Sequence, residues 1–259
     1  MRLCEILRRK NSAIREDFAF SVFAQPVPHQ AGEGMGCYCL LPSALCFQLL
    51  PYLAAMNYLA HAYCSFREPG WLVGNMISDF VKGKKQYDYP PAIHTGIRLH
   101  RLIDTFTDAH AAVQEAKTVF RPHYRLYAGA FVDVSFDYFV ANDPRCFADA
   151  AALESFAQFT YQTLQDHHDF LPEKFQGMLH YMRLQNWLYH YRSMWGMEKS
   201  FGGVVRRSQH LTDSATGFAL FQENLPLLQA CYNAFSADLW PMLEEWRLAQ
   251  IQGSDNTAL

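Results

Sequence analysis

Gly96-Ile97-Arg98-Leu99-His100-Arg101-Leu102-Ile103-Asp104-Thr105-Phe106-Thr107-Asp108 is the stretch whose reading decides the fold. Its period is helical, and a helix sets residues three and four apart on one face. Ile93, Ile97, His100, Asp104 and Asp108 then form a single stripe. A stripe that opens with two isoleucines points inward. It continues with an imidazole and two carboxylates, which are costly to bury unless paired or bound to a metal. A buried His100–Asp104 hydrogen bond and a metal site both satisfy that requirement, so this stretch alone leaves the two readings open.

The rest of the chain from Met56 repeats the helical period and shows no convincing alternating strand. The spacing predicts helices over 57–66, 71–82 with Gly83 as C-cap, 91–109, 111–121 ending at Pro122, and 123–141. Further helices are expected over 147–170, 173–194, 198–207 and 214–249, the last broken at Pro226 and bent at Pro241, with 250–259 a frayed tail. The reading is all-α: a single compact multi-helix domain over 56–259. Residues 1–55 form an extension of different character, and Met56 is the expected start of translation.

Four polar pairs recur at i, i+4 inside these apolar helices: Asn57 with His61, Asn75 with Asp79, His100 with Asp104, and Asp133 with Asp137. That spacing places two side chains one turn apart on the same face. Packed helices can then project such pairs into a common interior. Imidazole and carboxylate without thiolate suit Mn²⁺, Mg²⁺ or Fe²⁺ better than a closed structural zinc site. The pool of expected metal ligands is His61, Asp79, His100, Asp104, Asp133 and Asp137. Asp108, at the helix end, reads as a cap for the next helix. His167 and His168 read as a solvated helix end, and His180 and His190 as packing groups.

Composition narrows the classes. The 259 residues are 50% hydrophobic, 15% aromatic and 18% charged, with a net charge of −3. That balance excludes a disordered chain and argues against a general nucleic-acid binder. Seven cysteines with no CxxC pair fit reduced thiols in a cytoplasm better than a disulfide framework. No apolar run has the length and freedom from polar residues of a membrane span. There is no GxSxG elbow, P-loop or GxGxxG.

Several blocks carry a family likeness. They are Met56-Asn57-Tyr58-Leu59-Ala60-His61; Gly74-Asn75-Met76-Ile77-Ser78-Asp79-Phe80-Val81-Lys82-Gly83; Gly96-Ile97 through His100-Arg101, Ile103-Asp104 and Thr107-Asp108; and Asp133 with Phe136-Asp137-Tyr138-Phe139. In this order and spacing the sequence resembles the acyl carrier protein phosphodiesterases, also called holo-ACP hydrolases, which are distantly similar to HD-type metal-dependent phosphohydrolases. At Tyr138 the chain departs from the family pattern, which has histidine there. The resemblance implies Mn²⁺-dependent removal of 4′-phosphopantetheine from holo-acyl carrier protein. It implies catalytic roles for Asp79, His100, Arg101 and Asp104, with Lys82 and Arg101 on the phosphate. An acidic carrier protein calls for a local basic face, for which Lys82, Lys84 and Lys85 form the first cluster and Arg206 with Arg207 the second. A nucleotide-directed HD-like hydrolase and a non-catalytic carrier-binding module are the competing readings.

Overall fold

The computed structural model describes residues 58–255 apart from 209, with side chains described up to 252. The extension 1–55, a start at Met56 and the pairing of Asn57 with His61 lie outside the described residues. Among those described, every regular element is helical: α1 Tyr58–Tyr63, α2 Pro69–Ile77, α3 Pro91–Ala109, α4 Ala111–Tyr124, α5 Ala128–Asn142 and α6 Ala150–Asp166. These are followed by α7 Glu173–Leu184, α8 Trp187–His190, α9 Met194–Arg207, α10 Ala215–Glu223 and α11 Leu225–Asp255.

α5 is the central helix. It is apolar on nearly all sides, from Phe131 and Val132 to Phe139 and Val140, and such a helix has to be enclosed by others. Its own Phe131 is fully buried, as are Phe120, Phe201 and Phe221 on other helices. α2 and α3 pack almost backbone to backbone. A Cβ on Gly74 would stand 2.7 Å from the Ile97 nitrogen and 2.9 Å from the Gly96 Cα, which leaves no room for a side chain at the crossing.

Several helix ends differ from expectation. α1 stops at Tyr63 because Phe66 and Arg67 adopt left-handed conformations, with φ of 55° and 60°. α2 begins at Pro69 and ends at Ile77; the chain continues through a 3₁₀ turn, Ser78–Phe80, into extended Val81. That exit buries Val81 and sets Phe80 edge-on against Phe175. Gly83 is left-handed (φ 56°) but opens the Gly83–Asp88 turn instead of capping α2. Lys82, Lys84 and Lys85 therefore ride on this turn and not on a helix end, so the helix dipole plays no part in their placement.

α4 runs through Pro122, which removes only one backbone bond in its last turn, and ends at left-handed Arg125. Leu126 is 81% exposed in the turn before α5. The long helix expected over 173–194 is cut at Asn186 (φ 46°), and α9 starts afresh where Ser193 accepts a bond from the Gly196 amide. Pro226 lies in the first turn of α11, where proline is tolerated, and that helix continues past Gln250 to Asp255.

Candidate metal centre

His61 lies near the end of α1, Asn75 on α2, Asp79 in the turn that follows it, and His100 with Asp104 one turn apart on α3. The α2–α3 crossing brings the last four together, and α1 adds His61. The two imidazoles stack with centroids 4.1 Å apart and an interplanar angle of 18°. Both are buried, at 3% and 5% exposure.

Asn75 orients both rings. Its amide nitrogen donates to the His61 carbonyl at 2.8 Å and to Ser65 Oγ at 3.1 Å, so its Oδ1 points the other way. That Oδ1 accepts from His61 Nδ1 at 2.7 Å, while the Asn75 main-chain oxygen accepts from His100 Nδ1 at 2.8 Å. With both Nδ1 atoms acting as donors, each neutral ring turns an Nε2 lone pair inward. Those two Nε2 atoms face Asp104, at 3.4 Å from His61 and 3.2 Å from His100, and Asp79 lies 3.3 Å from His100 Nε2. Among the described residues neither Nε2 has a partner in hydrogen-bond geometry, although both are buried.

A point enclosed by two imidazole lone pairs and a carboxylate demands positive charge. Without a cation a proton supplies it. Burial alone would lower the His100 pKa, but the adjacent Asp104 and Asp79 carboxylates overcome that and push it up to about 10. His61 is held below its ordinary value by burial and then by His100. Burial would raise Asp104, yet the two histidines hold it well below the usual carboxylate range. With a cation the same point becomes a coordination site: single ligand atoms of His61, His100 and Asp104 all lie within 4.8 Å of one another. Two imidazoles and a carboxylate, with both rings fixed from behind, fit a divalent ion that keeps open positions.

The α5 carboxylates behave differently from this triad. Both oxygens of fully buried Asp137 are engaged by α1, accepting from the Ala60 amide at 2.9 Å and from the Leu59 amide at 3.4 Å, and Tyr191 also bonds to it. Asp133 is half-buried, and burial followed by the negative charge of Asp104 pushes its pKa up to about 8. Asp108 is exposed and pairs with Lys117 at 3.0 Å, while the next helix is capped by His110 Nδ1, which accepts from the Ala112 amide. Arg101 donates to Gln86 Oε1 at 2.6 Å and so ties the lysine-bearing turn to α3. Arg206 and Arg207 are exposed at the end of α9.

The sequence profile of the family described as acyl carrier protein phosphodiesterase matches residues 56–239. The chain belongs to this family. A relative named acyl carrier protein phosphodiesterase from Yersinia pestis is 30% identical over 180 residues, covering 70% of this chain and 93% of its own length. One of the same name from Klebsiella pneumoniae is 33% identical over 156 residues, 60% of this chain and 81% of the relative. The relative of that name from Serratia proteamaculans is 28% identical over 193 residues, 74% of this chain and its whole length. No solved structure matches the chain at a significant level. This membership gives an acyl carrier protein phosphodiesterase profile to a chain whose fold is wholly helical among the described residues.

Sequence reasoning paired Asn75 with Asp79 as prospective neighbours of an ion and missed its work on the two rings. The signal was only a buried amide between Gly74 and an apolar run. Asn75→Ala removes both side-chain bonds behind His61, and a lost bond behind a ligating histidine weakens metal affinity about 10–100-fold. Titration calorimetry with a divalent cation reads this directly. Unchanged affinity would mean that packing alone holds the His61 ring.

Proposed function

We propose that this chain hydrolyses the phosphodiester that joins 4′-phosphopantetheine to holo-acyl carrier protein, in the cytoplasm, with Mn²⁺ held by His61, His100 and Asp104. The observation that carries the reading is the meeting of two buried, unpartnered Nε2 atoms with the Asp104 carboxylate. A divalent cation held there would neutralise charge on the phosphoryl oxygens and acidify a water.

The chain's own residues do the rest. Asn75 keeps both imidazoles aimed inward, and Asp79 is the next carboxylate within reach of the same point. Asp137 positions α1, and with it His61, by holding the Leu59 and Ala60 amides. One free carboxylate would take the proton from the attacking water: Asp79, 3.3 Å from His100 Nε2, or Asp133, which feels the charge of Asp104. Arg101 and Lys82 meet the phosphate oxygens. The test is mass spectrometry of holo-carrier protein incubated with the purified chain and Mn²⁺. Loss of the phosphopantetheine mass supports the reading. Hydrolysis of nucleotides alone would replace it with a small-molecule phosphohydrolase.

Lys82, Lys84 and Lys85 are assigned to docking the acidic carrier, since all three are exposed on the turn that Arg101 fastens beside the centre. Lys84→Glu with Lys85→Glu slows arm release about tenfold at low salt and flattens its salt dependence. If rate and slope stay as they were, docking moves to Arg206 and Arg207.

The pH dependence of stability has a definite sign. In metal-free protein the raised pKa of His100 contributes stability that is complete below its unfolded value near 6.5 and is lost as pH climbs toward about 10. Asp133 acts in the same direction: its raised pKa means that stability is lost from its unfolded value upward until about 8. Chelated protein should therefore melt at progressively lower temperature between about pH 6.5 and 8.5. Mn²⁺ should raise the melting temperature by an increment that grows over the same range, because it displaces a proton. An increment independent of pH would place the ion elsewhere.

A further inference from the structure

A cavity of about 740 Å³ opens between α1 and the α7–α9 segment. Its size lies within the usual range for small-ligand sites, about 300–1,000 Å³. Trp187 and Trp195 line it together with Tyr58 and Tyr191; Lys199 and Arg206 add positive charge, and no carboxylate lies among its lining residues. The Tyr58 hydroxyl donates to Met178 Sδ at 3.3 Å, and Lys199 stands over the Trp195 ring at 6.0 Å.

The short helix α1 contributes a residue to this cavity and another to the metal centre. Tyr58 precedes His61 on α1, and its phenol feels the charges of Arg207 and of Asp79. Tyr191, on the cavity wall, bonds to Asp137, the carboxylate that holds α1 by its amides. A phosphodiester seated against His100 and Asp104 carries two substituents. One is the carrier protein, too large for any cavity. The other is an extended, uncharged chain with two amides, a hydroxyl and a terminal thiol. Aromatic walls with polar edges suit that chain: rings cover its methylene segments while N–H and O–H groups meet its amides.

We infer that this cavity binds the pantetheine portion of the substrate while the phosphate sits at the metal centre. The inference rests on the hydrolase reading above, and its test separates the two. Reduced pantetheine, which lacks the phosphate, is titrated calorimetrically into the full chain. It is then titrated into Ser200→Phe, which fills the cavity, and into Trp195→Ala, which removes an exposed wall residue with little risk to folding. Binding is expected to the parent, weakened at least tenfold in both variants, with Mn²⁺ affinity unchanged. Release of the arm from holo-carrier should fall at least tenfold in kcat/KM in the same variants. Arm release by the parent with no pantetheine binding, or with binding and kcat/KM equal in all three proteins, overturns the cavity assignment and leaves the hydrolase standing. Pantetheine binding lost in both variants, with no arm release by the parent, leaves the cavity standing and overturns the hydrolase.

Discussion

Asp104→Ala is expected to abolish turnover, at least a thousandfold or about 4 kcal/mol of transition-state stabilisation, and to remove measurable binding of the divalent ion. Among the described residues Asp104 is the one carboxylate that approaches both inward-facing nitrogens, at 3.4 Å from His61 Nε2 and 3.2 Å from His100 Nε2. Its side chain is 38% exposed, so truncation opens the mouth of the centre and makes no cavity in the core. The helical circular dichroism should therefore stay that of the parent. Asp104→Asn sharpens the test, because it keeps the shape and removes the charge. Both variants should lose metal affinity in calorimetry and arm release in mass spectrometry. Full activity in either would remove Asp104 from the site, and with it the triad.

The second large effect is structural. Gly96→Ala places a Cβ 2.8 Å from both the carbonyl carbon and the Cα of Trp71, main-chain atoms that no rotamer change can move. α2 and α3 have to separate, and overpacking at such a contact costs about 3 kcal/mol, the upper end for an inserted methyl. For a chain of this size that corresponds to roughly 6–12 °C in Tm. Separation also moves Asn75 and Asp79 away from His100, so affinity for the divalent ion should drop together with stability. Gly177→Ala is the control: Gly177 is exposed on α7 with nothing within 4 Å of its prospective Cβ. There the exchange should be neutral or stabilising by up to about 1 kcal/mol, through helix propensity alone. Thermal unfolding of both variants decides the matter. Equal Tm values would mean that the crossing yields freely.

What could be read from residue order was local. Pro91 opening α3 and the inward stripe through Ile93, Ile97, His100 and Asp104 follow from proline geometry and a 3.6-residue period, and α3 spans the residues so predicted. Breaks at residues other than glycine and proline were not legible. Phe66, Arg125 and Asn186 take positive φ with no local signal, and each shortens or divides a helix that periodicity would continue. Gly83 shows the converse, since its left-handed conformation was foreseeable but not its place outside α2.

The same boundary runs through the site. Spacing alone determined that the chain would be helical and that imidazole and carboxylate would share apolar faces at i, i+4. Only tertiary packing decided which pairs meet, because the contact of Gly74 and Gly96 backbones joins segments about twenty residues apart. That contact sets Asn75 behind two rings and brings His61, His100 and Asp104 within 4.8 Å, while Asp137 is left holding the first helix by its amides. Periodicity is a property of neighbours along the chain; convergence depends on how closely distant backbones can approach.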